Sequence, residues 1–217
     1  MKKIRIGIVG VGNCASSLIQ GLQFYKNKDA VIGLMHPVIG GYRISHIQPV
    51  VGFDIDERKV GKDISKAIFS KPNVATKFSS VPNLNAPVYV GPIMDGVSAH
   101  MRRYPAAITF KPTKQKPVDV AEKLKEYKVD ILINYLPVGS QKATEYYAAA
   151  AIKAGCGLIN CIPVFIASNK NWVLKFKRAK LPVLGDDIKS QLGATWMHRS
   201  AVQSYLDRGI KILFTSQ

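Results

Sequence analysis

The strongest constraint on this chain lies at its start. The apolar run Ile4–Val9 passes directly into Gly10-Val11-Gly12-Asn13-Cys14-Ala15 and then into a helix-like stretch. Each small residue has a separate reason: Gly10 permits a tight turn, Gly12 lets another group approach the backbone, and Ala15 lets helix and strand pack closely. Such a turn calls for a buried strand, a helix leaving its C-terminal end and a crossover to a parallel neighbour. The helix N-terminus then offers free N–H groups and positive potential to an anion. Gly10, Gly12, Asn13 and Cys14 are therefore candidate contacts to the pyrophosphate of a dinucleotide, with a purely structural turn as the alternative.

The rest of the chain keeps the same rhythm. Apolar, β-branched runs predict strands at Ile4–Val9, Pro49–Asp54, Val88–Val90, Asp130–Tyr135, Gly157–Ile162, Pro182–Gly185 and Ile210–Phe214. Amphipathic stretches predict helices at Cys14–Tyr25, Glu57–Phe69, Val118–Tyr127, Ser140–Ala154, Ser168–Ala179 and Ile188–Arg208, with Ser140 as an N-cap and Gly155 as a C-cap. Near-continuous apolar strands such as Ile131-Leu132-Ile133 imply burial on both faces. The expected fold class is thus α/β, a doubly wound Rossmann-like domain over residues 1–209. Residues 26–48 and 92–117 break the rhythm and read as an insertion and a long surface loop.

A ribose-binding acid belongs at the end of the second strand, and Asp54 closes Val50-Val51-Gly52-Phe53-Asp54. It lies 42 residues after Gly12, against the usual ~20, so the reading requires residues 26–48 to be an excursion. An acid here favours NAD, because it would repel a 2′-phosphate. Alternatively, Asp54 and Asp56 cap the next helix.

Composition excludes several classes. Apolar residues make up 47% and charged residues 21%, as in ordinary soluble domains. No apolar run is long enough for a membrane helix, and glycines interrupt the start too early for a signal peptide. Cys14, Cys156 and Cys161 form neither CxxC pairs nor an even disulfide set, which fits a reducing cytoplasm. The four histidines show no metal-ligand spacing, so no metal site is expected. The net charge of +17 attracts anions. Its richest run, Lys170 to Lys180, places Trp172 and Phe176 four residues apart, which reads as a core-facing pair with solvated lysines. Nucleic-acid binding stays a minor alternative.

Three later runs go beyond a generic dinucleotide fold: Tyr135-Leu136-Pro137-Val138-Gly139-Ser140, Pro163-Val164-Phe165-Ile166-Ala167-Ser168, and Gly185-Asp186-Asp187-Ile188-Lys189-Ser190-Gln191-Leu192-Gly193-Ala194-Thr195. Together with the opening turn and Gly33-Leu34-Met35-His36, they resemble the signature runs of myo-inositol-1-phosphate synthases of bacterial and archaeal type. The resemblance implies NAD-dependent isomerisation of D-glucose 6-phosphate to 1D-myo-inositol 3-phosphate, by oxidation, enolisation, intramolecular aldol closure and reduction. It implies catalytic roles for Lys189 and Asp187. Cofactor contacts are implied at Asp63, Tyr147, Asp186 and Ser190, and a mono- or divalent cation can assist. Taken without the resemblance, Asp186 to Ser190 reads as a helix N-terminus, Asp63 as a surface acid and Tyr147 as a core aromatic.

Members of that family are longer homotetramers whose α+β domain closes over the sugar phosphate. The resemblance therefore places the start of that domain at residues 210–217 and makes the chain look truncated. On that expectation its own activity depends on complementation. The competing expectation is an NAD-binding or interaction protein without chemistry.

Overall fold

The computed structural model describes residues 1–26, 32–97, 101, 103–188 and 193–216. The chain divides into two compact units, Met1–Asp186 and Asp187–Gln217.

In the first unit, strands β1 (Ile4–Val9), β4 (Ile47–Asp54), β5 (Val88–Val90), β6 (Ile131–Asn134), β7 (Gly157–Asn160) and β8 (Val183–Leu184) form one sheet in the order β5-β4-β1-β6-β7-β8. Every neighbouring pair is parallel. A short hairpin, β2 (Val38–Ile39) and β3 (Tyr42–Arg43), occupies the predicted insertion. With the hairpin set aside, the sheet order is 3-2-1-4-5-6, that of a dinucleotide-binding fold. Neighbouring side chains on a strand point to opposite faces. Ile8 accordingly packs with Ala15 and Ile19 of α1 (Asn13–Phe24) and Ile64 and Ala67 of α2 (Ile64–Ala67). Val9 packs on the other side with Leu124 of α3 (Val120–Glu126), Ala148 of α4 (Gln141–Ala154) and Phe176 of α5 (Lys170–Arg178).

Two local expectations need correction, and a third holds. The predicted helix Glu57–Phe69 is a turn followed by the short α2. Gly61 takes φ +79°, outside the helical region, and Asp63 restarts the chain as an N-cap accepting from Ser65 N. Ser140 does hold the N-cap position of α4, but its hydroxyl donates to Pro137 O. The acceptor at that helix end is Asp95, which takes the amides of Lys142 and Ala143 at 2.7 and 3.0 Å. Gly155 closes α4 as expected, at φ +78°.

The second unit contains α6 (Ala194–Asp207), and residues 210–214 form no strand. No helix among the described residues is long and apolar enough to cross a membrane.

Candidate functional site

The sheet order reverses between β1 and β6, and ligands of such sheets bind beyond the strand ends at that point. A cleft of about 280 Å³ opens there, lined by Gly10, Gly12 and Asn13 after β1, Asp54 after β4, and Tyr135 and Leu136 after β6. The two glycines have different roles. Gly10 takes φ +80°, and a Cβ on it would fall 2.6 Å from Tyr135 O, so only glycine fits. At Gly12 a Cβ would meet nothing within 4 Å, which leaves the backbone bare on the cleft side. The first helical bond of α1 runs from Ser16 N to Gly12 O, and no acid occupies its first turn. The amides ahead of that bond therefore keep their positive potential for an anion.

Asp54 stands beside this turn, with Oδ2 accepting from Val11 N at 2.8 Å and Oδ1 from the amides of Ile55 and Asp56. It caps no helix. Neither does Asp56, whose fully buried carboxylate is held by Arg58, while Arg58 also donates to Ala106 O and Thr109 O. Burial alone would raise the Asp56 pKa, but the Arg58 bonds and the Lys111 amide outweigh it and hold the acid below its ordinary value. This pair fastens the 92–117 loop, whose Met94 and Phe110 line the cleft.

Tyr147 also lines the cleft and is buried, with its hydroxyl packed over Gly91. Burial pushes the phenols of Tyr135 and Tyr147 well above their ordinary value, so both are neutral hydrogen-bonding groups. Asn13 reaches the cleft, while its side-chain oxygen accepts from Val74 N and Ala75 N. Cys14 is exposed on the first turn of α1. The structure does not bring Asp63 to the cleft lining. Its carboxylate accepts from the amides of Ser65, Leu84 and Ala86, which makes it a cap and a loop bracket.

A second cluster joins the ends of β6, β7 and β8. Asn134 accepts from Leu136 N and donates to Asn160 Oδ1 at 2.9 Å, and Asn160 Nδ2 donates to Asp186 Oδ1 at 2.8 Å. Asp186 in turn accepts from the amides of Ile166, Ala167 and Ser168 at 2.9–3.0 Å. One chain of bonds thus ties all three signature runs together through buried asparagines. A carboxylate has about four lone-pair sites, and four N–H donors occupy those of Asp186. These bonds hold the loops together, and they leave the carboxylate little capacity for a cation. Burial favours its protonated form, yet the bonds from Asn160 and the three amides hold its pKa below the ordinary carboxylate value.

In the second unit Asp187 is exposed, sits at φ +69° and accepts from its neighbour Ile188 N. Lys189 and Ser190 lie outside the described residues. Among the described residues no group of three or more His, Cys, Asp or Glu could hold a metal ion.

Sequence reasoning missed Lys59, Asn73, Asp95, Asn134 and Asn160. Two of these had a readable signal, because the strands ILIN and GLIN end in the same residue. An asparagine closing a buried parallel strand must find partners beyond the sheet.

Comparison with known proteins agrees with this geometry. The chain is 46% identical over 218 residues to the inositol-3-phosphate synthase of Mycolicibacterium smegmatis, covering 99% of this chain and 59% of that protein. A crystal structure titled Ari2 superimposes with a TM-score of 0.79 at 29% identity, covering 96% of this chain and 61% of the other. A myo-inositol-1-phosphate synthase-related protein from Thermotoga maritima gives a TM-score of 0.69 at 20% identity, covering 95% and 60%, and supports the fold. No family model matches. The chain is therefore a homologue of inositol-3-phosphate synthases that spans about 59% of the length of the curated relative it matches.

Proposed function

We propose that the cleft holds NAD, and that the chain serves an inositol-3-phosphate synthase that converts D-glucose 6-phosphate to 1D-myo-inositol 3-phosphate. The observation that carries the cofactor reading is the bare backbone at Gly12, set beside the N-terminus of α1 and within the same cleft as Asp54. Pyrophosphate oxygens suit those amides, and the ribose hydroxyls suit an acid at the end of the second core strand.

NAD would supply hydride acceptance and return, leaving no net redox change. The residues of this chain bind and orient. Tyr135 and Leu136 line the cleft directly beside the glycine turn. The Asn134–Asn160–Asp186 chain sets the three loops around the strand ends. Lys189 is the candidate to polarise the carbonyl oxygen, stabilise the enolate and relay its proton, with Asp187 beside it in sequence. Proton transfer by Lys189 near neutrality would require a pKa below the ordinary ~10.4.

Thermal denaturation with NAD tests the binding. At about 100 times Kd, NAD should add about 2.7 kcal/mol of stability, and an unchanged Tm at millimolar NAD overturns the proposal. Catalysis is tested in a chain extended to the relatives' full length, assayed for inositol phosphate from glucose 6-phosphate. There Lys189→Ala should abolish product while NAD still binds. The competing reading, NAD binding without chemistry, predicts no product from either protein.

A further inference from the structure

Lys59 is a lysine with 4% exposure, and it lines the cleft together with Asp54 and Gly12. Its Nζ donates to Asn73 Oδ1 at 2.9 Å and lies 3.7 Å from Asp54 Oδ2. Asn73 Nδ2 donates to Val11 O at 3.1 Å, and Val11 N donates to Asp54 Oδ2 at 2.8 Å. The contacts close a ring that runs from Val11 through Asp54, Lys59 and Asn73 back to Val11. Both hydrogen-bonding groups of the residue between the two cleft glycines are therefore fixed by one ion pair and one amide.

A buried ammonium is costly unless its charge is matched, and Asp54 supplies the match. The pair leaves the ribose end of the cleft without net charge. We infer that cofactor choice is set by the Asp54–Lys59 pair and not by Asp54 alone: Asp54 occupies an ammonium that would otherwise receive a 2′-phosphate. Lys59 is then a selectivity residue and, through Asn73, a positioning residue for the glycine turn. The inference rests on the NAD reading of the cleft.

The test uses the full chain and two small probes of the ribose end, 5′-AMP and 2′,5′-ADP, titrated by calorimetry with NMR competition for weak binding. Asp54→Asn removes the charge and keeps one of the two acceptor oxygens, turning its NH2 toward either Val11 N or the amides of Ile55 and Asp56. Any resulting loss of fit weakens both probes alike, so the readout is their ratio. The substitution should weaken 5′-AMP about tenfold and tighten 2′,5′-ADP at least tenfold, as expected when a dianion meets a freed cation in partly buried surroundings. Adding Lys59→Met should erase the gain for 2′,5′-ADP. Where that double variant does not fold, Lys59→Gln replaces it, because its amide still donates to Asn73, and the same loss is expected. A merely structural Lys59 would weaken both probes by the same factor and leave their ratio unmoved. The inference is overturned if Asp54→Asn leaves the ratio of 2′,5′-ADP to 5′-AMP affinity unchanged, or if the gain survives removal of the ammonium. If the wild-type chain binds neither NAD nor 5′-AMP, the cofactor reading itself fails, and this inference falls with it.

Discussion

Asp186 illustrates how a residue acquires its role from its partners. Next to Asp187 and Lys189 in sequence it reads as a cofactor contact, and in the structure its carboxylate collects three amides and the Asn160 side chain. Asparagine in its place would turn an N–H toward those donors and leave amides unsatisfied, at roughly 1–3 kcal/mol. Asp186→Asn should lower Tm by about 2–10 °C for a domain of this size. The acid limb should change too. A carboxyl with a depressed folded pKa contributes stability that is present above its unfolded pKa and lost as pH falls through the folded one. Wild type should thus lose stability below about pH 4 more steeply than Asp186→Asn, and equal slopes would show that these bonds contribute nothing. Asp63 shows why such roles were illegible in the sequence. Its partners, Leu84 and Ala86, come from a loop about twenty residues away, and no local pattern announces them.

At the scale of elements, the glycine turn permits a test in which stability and binding separate. Alanine at position 10 would need a left-handed conformation and would collide with the Tyr135 carbonyl. Gly10→Ala should cost about 1–3 kcal/mol or more, read as a fall in the urea midpoint. Gly12 has ordinary extended backbone, at φ −94° and ψ −156°, with open space where a Cβ would go. Gly12→Ala should fold within about 0.5 kcal/mol of wild type while binding NAD at least tenfold more weakly. If both variants lose stability and neither loses affinity selectively, the cleft is a structural turn. The same elements show where periodicity reads well. Ile4–Val9 and Val88–Val90 were legible to the residue, because strands buried on both faces are continuous apolar runs. Residues 57–69 misled because their apolar spacing suits a helix, while the turn at Gly61 and the cap at Asp63 depend on pairing with residues 84–88. At residues 210–214 an apolar run was not enough, since a strand also needs a neighbour to bond with.

For the molecule as a whole, the fold class was legible because alternating runs and helices admit few sheet topologies. The site was legible only where one turn carries it, since the network across β6, β7 and β8 depends on which strand ends meet. The net charge of +17 is a property of no single element, and it bears on which anion the chain seeks. On α5, Phe176 is fully buried and Trp172 packs on the same core, with the Lys175 ammonium 4.0 Å from its ring centre. The aromatic faces of α5 that would stack on bases are thus engaged in the core or covered by a cation, and on the NAD reading the charge is expected to act as a diffuse field around the cleft. Such a field would attract any polyanion weakly, while strong binding of the right dinucleotide would come from the cleft. NAD affinity should therefore fall only a fewfold between 50 and 200 mM salt, since a small anion releases few counterions. Binding of a random single-stranded oligonucleotide should fall by orders of magnitude over the same range. NAD at saturation should leave the residual oligonucleotide binding unchanged, because diffuse attraction does not use the glycine turn. Oligonucleotide binding that persists at 200 mM salt and is displaced by NAD would show that nucleic acid competes for the cleft, and would reverse the assignment of its ligand.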